Sequence, residues 1–100
     1  MIKHLVMWRL KENAIGKTKQ QNALLIKERV ESLMGKIDGL LKIEIGMDFS
    51  DTANSADIAL YSEFAGREQL DLYQKHPDHL AIVSLIKETC EDRRIVDYEI

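Results

Sequence analysis

The period of the hydrophobic pattern switches repeatedly along this chain, and the order of those switches constrains the fold more than any single motif. Ile2, His4, Val6, Trp8 and Leu10 alternate with Lys3, Leu5, Met7 and Arg9. A two-residue period of this kind reads as a strand with apolar side chains on both faces. A polar loop follows through Asn13 and Gly16. From about Lys17 to Lys36, Ala23, Ile26, Val30, Leu33, Met34 and Ile37 recur three or four apart. That spacing predicts an amphipathic helix whose solvated face carries Lys27, Glu28, Arg29 and Glu31. Gly39 closes the region, because glycine accepts the left-handed backbone that follows helices.

Between residues 40 and 48 the alternation returns, with Leu41, Ile43, Ile45 and Met47 set against Lys42, Glu44, Gly46 and Asp48. Ser50 to Ser55 is a polar turn, and Ile58, Leu60, Ser62 and Phe64 continue as the next strand. A second helical region runs from about Arg67 to Cys90, broken at His76-Pro77. Proline lacks an amide donor and disfavours helix in the residue before it, so His76 ends one short helix. Pro77 then opens the next at its first position, with Asp78 near the positive end of the dipole. Arg94 to Glu99 reads as the last strand.

The order is β-α-β-β-α-β over one domain spanning residues 1–100. It specifies an α+β, ferredoxin-like plait with both helical regions on one face of a four-stranded antiparallel sheet. The helix-covered face takes Ile2, His4, Val6, Trp8, Leu41, Ile43, Ile45, Ile58, Leu60, Phe64 and Ile95. Leu5, Met7, Ala59, Tyr61, Val96 and Tyr98 fall on the opposite face among charges. An apolar patch of that extent is expected to be covered by another surface, and packing two such sheets face to face gives a homodimer.

Composition excludes several classes of partner. A formal net charge of −3 is unsuited to nucleic acid, which calls for a basic surface. The element order is shared with RNA recognition motifs, but residues 57–64 hold two acids and no base where such motifs need cations and exposed aromatics. No apolar run approaches the ~20 residues needed to cross a bilayer, and no charged-then-apolar leader is seen, so no membrane association is expected. The single cysteine, Cys90, cannot form an internal disulfide and suits a reducing compartment, so a cytoplasmic location is expected.

The chemistry concentrates in Tyr73-Gln74-Lys75-His76-Pro77-Asp78-His79, which holds two of the three histidines and a tyrosine beside the helix break. Imidazole and phenol together supply an acid, a base and a polar clamp for a small molecule. His4, in the first strand, belongs to the layer that faces this segment. Tyr73, His79 and His4 are the candidate catalytic groups; Val6, Trp8, Leu60 and His76 are the candidate ligand contacts. Each has a structural reading as well. His79 can serve as a helix-start residue bonding a carbonyl, Tyr73 as a core aromatic, and His4 as a hydrogen-bonded bridge to the His79 region. His76 is better explained as a helix end than as a catalyst. Cys90 has no neighbour that would activate its thiol, and Asp97 reads as a surface or edge charge, with steadying a histidine as the alternative. Pro77 turns His76 and His79 apart, so no metal site is expected.

The opening Ile2-Lys3-His4-Leu5-Val6, the Gly39-Leu40 to Ile45-Gly46 strand, Tyr73-x-x-His76-Pro77-x-His79 and the terminal Val96-Asp97-Tyr98-Glu99 occur here in order. Together they resemble the stress-responsive A/B barrel (Dabb) domain family across essentially the whole chain. The resemblance implies a dimeric α/β barrel. One plant polyketide cyclase of the family closes its substrate by an intramolecular aldol condensation without metal or cofactor, and its tyrosine–histidine pair and first-strand histidine fall on Tyr73, His79 and His4. The implied mechanism has the phenol polarise a carbonyl while the imidazole takes a proton from the adjacent carbon. This chain departs from the cyclase where substrate shape is read: its first helix offers aliphatics such as Ile26 and Val30, and Cys90 stands near the position of a bulky indole.

Two functional classes follow. A cofactor-free enzyme acting on a carbonyl metabolite needs a closed pocket where Tyr73 and His79 converge. A non-catalytic stress-associated dimer needs only polar groups that satisfy one another in a filled interior. The wider superfamily adds a haem-related or monooxygenase-type alternative.

Overall fold

Antiparallel pairing brings the two ends of the chain together at the centre and edge of one sheet. The computed structural model describes residues 1–100. The elements are β1 (Ile2–Leu10), β2 (Asn13–Ala14), β3 (Lys17–Thr18), α1 (Lys19–Glu31), β4 (Leu40–Met47), β5 (Ile58–Phe64), α2 (Arg67–Lys75), α3 (Pro77–Thr89) and β6 (Cys90–Glu99). The four long strands lie in the order β4-β5-β1-β6, each pair antiparallel. This is the ferredoxin-like α+β fold that the element order requires.

Strand register decides which side chains meet. Val6 stands opposite Leu60 on β5 and Ile95 on β6, and His4 opposite Ser62 and Asp97. Directly opposed residues project to the same face, so His4, Val6, Trp8, Ile58, Leu60 and Phe64 form the helix-facing layer. Ile26 and Val30 of α1 and Tyr73 of α2 complete the core. Leu5, Tyr61 and Val96 share the opposite face, as do Met7 with Ala59, and Lys3 with Tyr98. On that side Met7, Val96 and Tyr98 are each more than 40% exposed, leaving an apolar surface uncovered in the single chain.

Several expectations are corrected. Leu40, not Leu41, is buried, because the β4–β5 register shifts between Leu40 and Lys42 and reverses the alternation there. Met34 is exposed: α1 ends at Glu31 and the chain turns before reaching it. Ile95 keeps its predicted face but stays 46% exposed, because β6 is an edge strand. The last strand begins at Cys90 rather than Arg94, directly after α3.

The polar loop expected around Gly16 contains a small hairpin, with Asn13 paired to Thr18 and Ala14 to Lys17. Its two-residue turn holds Ile15 at φ 48° and Gly16 at φ 74°. Both positive values match the mirror-image turn that hairpins favour, although a β-branched residue is strained there. Thr18 then caps α1, accepting a hydrogen bond from the Gln21 amide while the Gln21 side chain accepts from its own. That capping box places the helix start at Lys19. Fully buried Asn22 donates to the Ala14 carbonyl at 3.1 Å and pins the hairpin to the helix.

The expected solvated face of α1 has a second task. Lys27 donates to the Ile45 carbonyl at 2.8 Å, the Ile45 amide donates to Glu31 at 2.9 Å, and the two side chains pair at 2.7 Å. Edge strand β4 therefore has its open backbone groups occupied at that point. The Ile45 amide first, and then Lys27, hold the Glu31 carboxyl below its usual range.

Candidate functional site

The break between α2 and α3 builds one wall of the site. His76 sits in extended backbone at φ −66°, ψ 136°, and Pro77 occupies the first turn of α3. The His76 ring accepts a hydrogen bond from the Asp78 amide at 3.1 Å, so it caps the helix. With that corner fixed, Tyr73 at the end of α2 and His79 at the start of α3 lie with ring centroids 4.5 Å apart, tilted by 49°.

His4 enters from the central strand. Its ring centroid is 6.3 Å from that of Tyr73, in an edge-on arrangement, and the residue is buried. Nδ1 of His4 donates to the Asp97 carboxylate, its register partner on β6. A carboxylate only accepts, so Nδ1 carries the proton. The bridge expected from His4 toward His79 is thus made to Asp97 instead, and Asp97 steadies a histidine rather than standing as a free edge charge.

A cavity of about 110 Å³ lies between sheet and helices. Its lining includes His4, Val6, Trp8, Leu60, Tyr73 and His79, six of the seven residues singled out in the sequence. His76 is outside it, because its ring is committed to the helix cap. Gln74, Val30, Leu33, Ile82, Ile86, Arg93 and Ile95 complete the wall.

Polar groups in this wall are not paired with one another. Nδ1 of His79 and Nε1 of Trp8 are buried without a hydrogen-bond partner. The Gln74 carbonyl biases the His79 ring toward protonation but does not meet hydrogen-bond geometry with that nitrogen. Burial chiefly, and then the neighbouring His4 and His76, hold His79 below the ordinary histidine value. Its ring is therefore neutral at neutral pH and able to accept a proton. Tyr73 is only 1% exposed, and burial pushes its phenol up to about 12. It remains a donor throughout the physiological range. Burial also raises the Cys90 thiol, leaving it a poor nucleophile. No three His, Cys, Asp or Glu side chains are grouped so as to hold a metal ion.

The sequence matches the family model of the stress responsive A/B barrel domain over residues 2–100. The chain belongs to the Dabb family. This Dabb chain is similar to a dimeric protein of unknown function and ferredoxin-like fold from Bacteroides fragilis, at 35% identity and a TM-score of 0.87, over 99% of this chain and 95% of that one. It is also similar to a Dabb family protein from Mesorhizobium loti, at 25% identity and a TM-score of 0.73, over 99% and 95% of the two chains. A hydroxynitrile lyase from Passiflora edulis shares the fold at 19% identity and a TM-score of 0.83, over 99% and 92%. No functionally curated protein matches the sequence.

Arg93 is the site residue that sequence reasoning missed, and Asp97 takes the histidine-steadying role that the sequence offered only as its alternative. Both share the phase of Ile95 along β6, two residues to either side of it, on the helix-facing side of the sheet. That phase was the available signal; the pairing of β6 with β1 gives it meaning.

Proposed function

We propose that this Dabb chain is a homodimer that binds a small carbonyl compound between sheet and helices and transfers a proton at the carbon beside the carbonyl, using only its own side chains. The observation that carries this reading is the convergence of Tyr73 and His79 on one cavity, with Nδ1 of His79 buried and without a hydrogen-bond partner. A filled interior of mutually satisfied groups is what a purely structural role would use, since an unpaired buried polar group costs roughly 1–3 kcal/mol.

The proton path follows from the protonation states. Neutral His79 takes a proton from carbon at its unprotonated ring nitrogen, the Tyr73 hydroxyl donates to the developing enolate oxygen, and return of the proton regenerates the ring. His4, held by Asp97, positions the substrate from the sheet side. Size limits the ligand. Cavities of about 150 Å³ admit benzene, so 110 Å³ suits a fragment of about four or five non-hydrogen atoms. A whole polyketide or a haem exceeds this space, and only the reacting end of a longer substrate would enter it.

The uncovered face carrying Met7, Tyr61, Val96 and Tyr98 supports the dimer, as does the dimeric state of the Bacteroides relative. Sedimentation should give twice the chain mass at micromolar concentration, and Tyr61→Glu should shift it to a monomer or unfold it.

Deuterium wash-in at the α-carbon tests the chemistry, with short 1,3-dicarbonyls and ketones screened in D₂O and read by NMR. Wild type should exchange above the buffer rate, while Tyr73→Phe and His79→Ala should each lose most of that excess. Because the two groups act as a unit, the double variant should be little worse than either alone. Equal exchange by all proteins would rule the pair out.

A further inference from the structure

The cavity adjoins a surface groove, and the groups there that lack a partner are of one chemical kind. A surface groove of about 280 Å³ runs between β6 and the end of α3 and shares Trp8, Ile86 and Arg93 with the inner cavity. Those three residues border both spaces. Trp8 and Arg93 are direct cross-strand partners on β1 and β6, so both project to the helix-facing side. The indole N–H of Trp8 only donates, and it is buried without an acceptor.

Arg93 makes no ion pair, although the chain around it is rich in them. Asp92 pairs with Arg94 at 2.7 Å and with Arg9 at 3.8 Å, and Glu91 pairs with Arg9 at 3.7 Å. Both acids that border the groove thus have cations of their own. Lys87, on the α3 side of the same groove, likewise has no acidic partner. The unpaired groups of the residues that border the groove are a guanidinium, an ammonium and an indole N–H. All three are donors, and two are cations.

We propose that this groove is the mouth of the cavity and recognises a carboxylate, so that the substrates of the site are short oxo acids. The carbonyl end enters the cavity toward Tyr73 and His79, while the carboxylate stays at the mouth between Arg93 and the Trp8 N–H. The planar guanidinium matches a carboxylate with two parallel hydrogen bonds, which a point charge cannot do. Arg93 is then a specificity-determining residue and Lys87 a supporting charge. The assignment deepens the proton-transfer reading and rests on it for what happens to the carbonyl.

Trp8 is the only tryptophan, so its fluorescence reports occupancy of the mouth directly. Wild-type protein is titrated with 2-oxobutyrate, its methyl ester and acetonylphosphonate, and deuterium wash-in at C3 of the oxo acid is followed in parallel. The acid should bind at least tenfold more tightly than the ester. Arg93→Gln should remove that preference with the melting temperature unchanged, and Arg93→Lys should restore only part of it. Equal quenching by acid and ester, or an acid preference that survives Arg93→Gln, would overturn the proposal, and so would tighter binding of acetonylphosphonate than of the oxo acid. The two readings separate cleanly. Acid-selective, Arg93-dependent binding without wash-in upholds the mouth and removes the proton transfer. Wash-in that is indifferent to Arg93 does the reverse.

Discussion

Replacing Tyr73 by phenylalanine should make this protein more stable while removing its chemistry. The residue is 1% exposed and packs its ring 4.9 Å from Phe64 and 4.5 Å from His79, contacts that phenylalanine keeps. Its hydroxyl has no protein partner, and its phenol is shifted by burial alone, with no hydrogen bond contributing. Burying an unpaired hydroxyl costs about 1–3 kcal/mol by mutational measures. The hydroxyl opens on a cavity of about 110 Å³, large enough for water to meet part of its need, so the lower end of that range applies. A gain of about 1 kcal/mol is expected, which raises the melting temperature of a 100-residue domain by about 4–8 °C. Calorimetry at fixed protein concentration measures it, since a dimer's melting point depends on concentration. A Tyr73→Phe protein destabilised by 1 kcal/mol or more would show that the hydroxyl is a structural hydrogen-bonding group, and the argument from unpaired polar atoms would fail with it.

Asp97→Ala should destabilise by about 1–3 kcal/mol in urea unfolding, because it strands a buried His4 N–H, and a His4–Asp97 double-mutant cycle should return a favourable coupling. The folded state holds His79 below its unfolded value of ~6.5, so its contribution to stability is complete above that pH and is lost as pH falls toward the folded value. Wild type should therefore lose melting temperature between about pH 7 and 5, and His79→Gln should flatten that slope. Gly39→Ala should cost about 1–3 kcal/mol by thermal melting, since the backbone there is left-handed at φ 84° and a Cβ would fall 2.3 Å from Cγ of Gln69. A Gly39→Ala protein as stable as wild type would show that this turn relaxes freely.

Long alternating or helix-period runs made the fold legible. The β-α-β-β-α-β order needs only their sequence of periods, and the facing of β1 and β5 follows from strict alternation. What the pattern hides is any break in it. The bulge at Leu41 moves one residue out of phase and exchanges Leu40 for Leu41 in the core, yet both are leucine. The β2–β3 hairpin turns on Ile15-Gly16, which lacks the asparagine or aspartate that usually marks such a turn. The convergence of His4, Tyr73 and His79 was legible because it depends on strand facing and one proline. The partner of His4 was legible only as the less favoured role of Asp97, since that residue lies 93 positions away and only the β1–β6 register brings the two together. Cavity shape is still less readable, because it is what remains after many side chains have packed.

The site divides its two requirements between the two layers that form it. From the sheet come groups that must not move: His4 on the central strand is tied by its ring to Asp97, and Trp8 and Arg93 are locked in register across the same pair of strands. The helices supply Tyr73 and His79, whose separation is set by a corner rather than by a continuous helix. A straight helix would place residues 73 and 79 nearly two turns apart, too far along its axis for their rings to stack. Pro77 prevents that continuation and His76 caps the new start, so the chain folds back and the rings come to 4.5 Å. The His-Pro segment therefore contributes to function through backbone geometry, while its own histidine stays outside the cavity. This also explains why the segment reads as catalytic in sequence although only its last residue, together with Tyr73 three residues upstream of His76, reaches the space where a ligand would sit.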